Sequence, residues 1–333
     1  MNHSPSPNAA DKSPVMDVRG EDTAPIFFVG AIRLNTTPLG IMLDRHPQFA
    51  NVGDFDYAVS CIVNGKFPKM QDYYRYLDLE HMYRIRSWKI YPNYDYARLV
   101  RSFLQQAVDR AGKTYVGATV RTKFDELLKI WPRARFIHLL RDPRDVARGY
   151  MGMGWSGNVW HGTDYWVDTV RRWSTLSKSL SDDCQLQVRH EDLIQSPQQE
   201  LSRICDFIGI HYDDGMLRDG DSTTHQVPKS VCTAQWNRIL TSREVQIIES
   251  RCHPLMKEYG YQPVSPKLTP PSRLQRVSLA VDHRCRRIWK NIRVYGVPQY
   301  LAWQAAKSMP YCVFKRRILS SKNRDDQARL QQA

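Results

Sequence analysis

No stretch of the sequence approaches the roughly 18 uninterrupted apolar residues that a membrane-spanning helix needs, which argues against an integral membrane protein built of helices. The first 24 residues, MNHSPSPNAADKSPVMDVRGEDTA, lack the apolar core of a signal sequence and are polar and Pro/Ser-rich, so a disordered leader on a cytoplasmic protein is expected. The seven cysteines (Cys61, Cys184, Cys205, Cys232, Cys252, Cys285 and Cys312) are odd in number and never form a CxxC pair. They read as buried thiols rather than a disulfide frame or a zinc site. Metal-ligand spacing is missing throughout, and no metal is expected. Glycine is scarce where it matters: the turn after the first apolar run, FFVGAIRLNTT, has one, and it lacks the Gly-Lys-Ser/Thr that would mark an ordinary P-loop kinase or NTPase.

Acidic residues are sparse in one region only. Residues 262–333 hold 15 Lys/Arg against 3 Asp/Glu, which leaves 33 against 31 for residues 1–261. The net charge of +14 therefore belongs mostly to the C-terminal segment, and chemistry in the rest must rest on individual cations.

What is present alternates between strand and helix. PIFFVG (25–30) reads as a buried strand and Thr36 to His46 as a helix ending near Pro47; residues 54–110 read as aromatic and mostly helical. RFIHLL (135–140) reads as a second strand, followed by a helix from Asp142 to Tyr150 with Asp142 as cap and Pro143 in its first turn. QLQVR (185–189) reads as a third strand, with a helix near 197–208 after it. This order predicts an α/β protein with a central parallel sheet flanked by helices, and ligands at the carboxyl ends of the strands.

Two such ends carry suitable residues. After the first strand, Gly30-Ala31-Ile32-Arg33-Leu34-Asn35-Thr36-Thr37 offers backbone N–H groups, one guanidinium and two hydroxyls to an anion. After the second, Arg141-Asp142-Pro143-Arg144-Asp145 reads either as a capped, ion-paired helix start or as an anion site. Taken together, the two ends favour one bound polyanion.

The succession G-A-x-R-x-x-T-T, DRHP, Gly53-Asp54, WPRARFIHLLRDPRDV, MGWSGNVW, VRHEDL, ICDFIG, QWNRILT and EYGY resembles the bacterial branch of the sulfotransferase family from about Ala24 to Tyr261. The resemblance implies a three-layer, P-loop-like fold over 25–262. It also implies a 3′-phosphoadenosine-5′-phosphosulfate (PAPS) donor and transfer of its sulfonyl group to a hydroxyl or amine acceptor, without a metal. By the same resemblance Arg33, Leu34, Asn35, Thr36 and Thr37 would form the 5′-phosphosulfate loop, with Arg33 stabilising the leaving group. The chain departs from the family pattern there at Ile32, Leu34 and Asn35, which stand for Pro, Ser and Gly. Asn tolerates the left-handed backbone, so the turn can survive. Arg141 would bind the 3′-phosphate, while Gly149 replaces the family's serine and removes a hydroxyl donor, at a cost of about 1 kcal/mol. His190, in place of a tyrosine, would face the adenine, and Lys229, Trp236 and Arg238 belong to a segment resembling the loop that closes over the nucleotide.

Asp54 stands where the family places its base; its other reading is a helix cap ahead of the aromatic stretch. His46 is a weaker base candidate, His138 reads as a core residue, and among Trp155, Trp160, Trp166 and Trp173 the first two are candidates for touching the acceptor. A second reading of the whole stays open: a degenerate relative acting as a scaffold or partner-binding protein.

The basic segment 263–333 is expected to form a helical extension. Leu274, Val277, Val281, Ile288 and Ile292 recur at helical spacing among arginines, and a second basic cluster lies at Lys315-Arg316-Arg317. Either this helix packs on the core, or 274–317 contacts an anionic membrane peripherally, at the inner membrane face. Nucleic acid is not expected, since no recognition module is present. The acceptor, whether lipid, glycan or small molecule, has no readable code.

Overall fold

A computed structural model of the chain describes residues 24–31, 38–218, 234–308, 318, 319 and 321. Ile26–Val29 (β1) is buried at all four positions. That is the mark of a strand inside a parallel sheet covered on both faces. Around it lie Phe49–Asp54 (β2), Tyr115–Thr119 (β3), Arg135–Leu140 (β4) and Gln185–Arg189 (β5), in the order β2-β3-β1-β4-β5. Every pairing is parallel, with Phe28 opposite Thr119 on one side and Ile137 on the other.

Parallel strands need crossovers, and helices supply them. The first half of the chain contributes α1 (Pro38–Asp44), α2 (Met70–Leu79), α3 (His81–Ile85) and α4 (Tyr96–Ala111). The second half contributes α5 (Pro143–Met153), α6 (Val159–Ser177), α7 (His190–Gln195), α8 (Pro197–Ile208), α9 (Trp236–Ile239) and α10 (Ser242–Glu258). Two helices, the basic α11 (Arg273–Tyr295) and the mostly uncharged α12 (Val297–Ser308), follow as the extension. No described helix is long and apolar enough to cross a membrane.

Alternation along β1 divides the core. Phe27 and Val29 face the aromatic layer of Phe55, Tyr57, Leu99, Phe103 and Phe136, whereas Ile26 and Phe28 face Leu39, Leu43, Ile137, Leu201 and Ile204. A third cluster, with Val146, Val159, Trp166, Ile248 and Met256, joins α5, α6 and α10 beside the second half of the sheet.

The three expected strands and the helices at 142–150 and 197–208 are found, with Asp142 capping α5 through the N–H of Arg144. Two strands go beyond the sequence reading. β2 (FANVGD) and β3 (YVGAT) are short and interrupted by glycine, so neither makes an apolar run. Their order comes from pairing: β3 lies between β1 and β2, and Gly117 leaves room for the rings of Phe28 and Phe49.

Candidate active site

The carboxyl edge of the sheet gathers most of the expected residues that fall within the described chain. In strand order it reads Asp54 (β2), Arg121 (after β3), Gly30 (after β1), Arg141 (after β4) and His190 (after β5). At about 4.8 Å per strand this row spans roughly 19 Å, enough for a nucleotide and an acceptor side by side. Gly30 has φ +150°, and a Cβ there would collide with the carbonyl of Leu139, so only glycine allows the chain to leave β1 this close to β4. Arg33, Leu34, Asn35, Thr36, Thr37 and Lys229 lie outside the described residues.

One half of the row is a polar lattice around the start of α5. The carbonyl of Arg141 accepts the indole N–H of Trp166 at 2.9 Å, and its guanidinium sits 3.7 Å from Asp145. The other oxygen of Asp145 accepts the backbone N–H of Trp236 at 2.9 Å. One carboxylate therefore couples Arg141 to α9. Burial pushes the Asp145 carboxyl up, against the pull of Arg141. Arg144 lies 3.9 Å from the ring of Trp236 and bonds both Asp142 and Glu249. Glu249 is fully buried and also accepts the N–H groups of Val264 and Ser265. Trp236 is thus held toward the start of α5, whereas Arg238 is exposed on α9. Gly149 is buried in α5, two turns past Arg141.

His190 is 6% exposed, and its Nε2 has no hydrogen-bond partner. Burial, with Arg141 as a second cause, pushes its pKa down to about 3, so the imidazole is neutral at ordinary pH. The next residue was not singled out from sequence: Glu191 accepts the N–H of Asp142 and the hydroxyl of Tyr261, both at 2.9 Å, and so fixes β5 to the start of α5.

In the other half, Asp54 is held by Arg121. Its two oxygens lie 2.9 and 2.8 Å from the guanidinium, and Asp56 joins the same cation at 3.2 Å. Asp56 also accepts the N–H groups of Arg121 and Thr122. The sequence reading missed Arg121 and Asp56. Only the β2–β3 register, with Asp54 opposite Thr119, brings Arg121 alongside. Tyr150 interacts electrostatically with Arg121 and stacks on Tyr165 at 4.0 Å, with Trp155 edge-on at 5.2 Å. Trp160 is faced by Arg251, Trp173 stacks on His138, and His46 bridges the backbone of Gln48 and His211. Among the described residues no group of three His, Cys, Asp or Glu converges as a metal site.

The model of the family described as "Sulfotransferase family" matches residues 25–214, more than half of the chain. Protein-tyrosine sulfotransferase A of Caenorhabditis elegans is 22% identical over 74% of this chain and 70% of its own length. Omega-hydroxy-beta-dihydromenaquinone-9 sulfotransferase Stf3 of Mycobacterium tuberculosis is 28% identical over 43% of this chain, an overlap that spans only 40% of that relative. The fold is shared with the sulfotransferase domain of the Synechococcus PCC 7002 olefin synthase, at TM-score 0.53 and 18% identity, covering 73% of this chain and 98% of that one. The sulfotransferase domain of the curacin biosynthetic pathway gives TM-score 0.52 and 15% identity, over 72% and 98%.

Proposed function

The chain belongs to the sulfotransferase family, and we propose that it moves a sulfonyl group from PAPS to a hydroxyl or amine acceptor. The observation that carries this reading is the row of side chains at the carboxyl edge, with Arg141 and His190 on one side of β1 and Asp54 with Arg121 on the other. A donor nucleotide would occupy the Arg141 side, and the acceptor the Asp54 side.

Arg141 supplies a cation for the 3′-phosphate, and its tie to Asp145 keeps it in place before binding. The unpaired Nε2 of His190 is a buried polar atom in want of a partner, which an adenine edge can provide. Trp236, held by Asp145 and Arg144, offers a face for the base. Lys229 and Arg238 are assigned as phosphate contacts on the family resemblance alone. Gly149 adds no hydroxyl, so the 3′ site relies on charge. Arg33, Thr36, Thr37 and the N–H groups of Leu34 and Asn35 would hold the 5′ end. The donor brings an activated sulfonyl group whose departure leaves negative charge on the bridging oxygen, and Arg33 is the cation assigned to it.

Asp54 is assigned to take the acceptor proton. Both of its oxygens are engaged by the Arg121 guanidinium. Here Arg121 also serves Asp56, so a proton on Asp54 does not strand a buried cation. Tyr150, Trp155 and Tyr165 form an aromatic wall near that pair, suited to an acceptor whose hydroxyl sits on an apolar or aromatic body. The named activities of the two curated relatives, on a protein tyrosine and on a hydroxylated menaquinone, fit that description.

The engagement of both Asp54 oxygens favours one competing reading, a relative that binds nucleotide without turnover. Incubation with 35S-labelled donor and a panel of hydroxyl compounds separates the two. Label in an acceptor, reduced about 100-fold or more by Asp54→Asn, supports transfer. Nucleotide binding with no label in any acceptor supports the scaffold.

A further inference from the structure

The helix α11 is built the wrong way round for a core helix. It starts with a capping box between Ser272 and Gln275 and runs for 23 residues, yet none of them is buried. Its attachment is polar: Asn158 donates to the carbonyl of Leu279 at 2.7 Å and to Asp282 at 3.0 Å. The N–H of Gly157 meets His283 at 3.1 Å, and Lys290 donates to the carbonyl of Gly152 at 2.7 Å. At 100° per residue these anchors share one face. Leu274, Val277 and Val281 lie on the opposite face and are 84%, 64% and 58% exposed. Cys285 continues that stripe, and Trp289, at 61%, borders it. A helix that only packs on its own core turns this stripe inward.

We propose that α11 is a docking surface for an anionic lipid bilayer, with the Leu274-Val277-Val281 stripe entering the headgroup boundary and the flanking arginines contacting lipid phosphates. Charge argues for this occupant. The helix carries Arg273, Arg276, Arg284, Arg286, Arg287, Lys290 and Arg293 against a single acid, Asp282. Asp282 is already engaged by Arg286 and Asn158. A second copy seated on the same stripe would set cations against cations, without the alternating signs that flank a helix–helix seam. A nucleic acid would meet the charges but bury an apolar stripe for no gain. An anionic membrane satisfies both features. Exposed Val297 and Leu301 on α12 add apolar surface to the same extension.

The anchor points are Gly152, in the last turn of α5 two residues past Tyr150, and Gly157 and Asn158, in the short segment joining α5 to α6. The docking surface therefore adjoins the aromatic wall of the proposed acceptor side. Only this last use, presenting the site to a membrane-borne hydroxyl, rests on the reading above; the surface itself does not.

Flotation of the full chain with vesicles of phosphatidylcholine, with and without phosphatidylglycerol, tests it. Binding is expected only to the anionic vesicles and weaker at high salt. Arg284→Gln with Arg287→Gln should weaken it about 30-fold, from roughly 1 kcal/mol per charge. Val277→Asp with Val281→Asp, at two exposed positions, should abolish it without unfolding the chain. No binding by the parent chain, or full binding by the aspartate variant, would overturn the proposal. So would a dimer in sedimentation that the aspartate variant dissociates, if vesicles are not bound. The assay contains neither donor nor acceptor, so its failure leaves the transferase reading intact.

Discussion

His138 sits in the centre of the sheet, fully buried, with its ring 4.6 Å from that of Trp173 and nearly parallel to it. Burial pushes its pKa from 6.5 down to about 3, with Gln187 beside it pulling weakly the other way. The unfolded chain therefore binds the proton first. The stability this residue contributes is complete above about pH 6.5 and is lost as pH falls toward about 3. At about pH 5 the two values correspond to a loss of about 2 kcal/mol, against less than about 0.1 at pH 7.5. His138→Phe keeps a ring against Trp173 but cannot titrate. Urea unfolding of both proteins between about pH 7.5 and about pH 5 reads the difference. The parent should lose about 2 kcal/mol more than the variant across that range. Buried Asp145 and half-buried Asp164 and Glu191, whose carboxyls are pushed up by desolvation, oppose the trend but are common to both proteins and cancel. Parallel pH profiles, within about 0.5 kcal/mol, would show that His138 can charge without unfolding and would refute the argument.

Glu249→Gln should destabilise the chain by about 2–3 kcal/mol in the same unfolding assay. It weakens a buried partner of Arg144 and sets an amide among three donors, though Asp142 still compensates the cation. Asp54→Asn should leave nucleotide affinity within about twofold while lowering turnover about 100-fold or more, read by titration and by 35S transfer. Arg121→Gln should leave nucleotide affinity equally unchanged. Its effect should appear in turnover alone, which falls because Asp54 loses the cation that fixes both of its oxygens, read by 35S transfer.

The parts of the fold that were legible in the sequence are those whose physics is local. β1, β4 and β5 show as short runs of β-formers, and α5 and α8 announce themselves through proline at the first turn. β2 and β3 do not, because Gly53, Asp54 and Gly117 break the apolar pattern and the strands are defined by what they pair with. The site divides in the same way. Arg141, Asp54 and His190 were found from motifs at strand ends. Arg121 escaped because TVRT carries no local signal, and Glu249 because it is 105 residues from Arg144. The i,i+4 spacing of Arg141 and Asp145 was visible in RDPRD, but the carboxylate's second tie, to Trp236, depends on α9 folding back against α5. Composition gave the basic extension. It left open which face of α11 would be turned outward, since the apolar stripe alone fits a packed helix equally well.

The measurement that bears most directly on the donor site is calorimetric titration of the full chain with 3′-phosphoadenosine-5′-phosphate at fixed salt, alongside Arg33→Ala and Arg141→Ala. Micromolar binding to the parent is predicted, weakened about 10-fold or more in each variant, as expected for losing a charge-assisted contact of about 1.5–3 kcal/mol. Absence of heat with a folded parent chain, or undiminished affinity in Arg141→Ala, would contradict the assignment of the carboxyl edge as a nucleotide site.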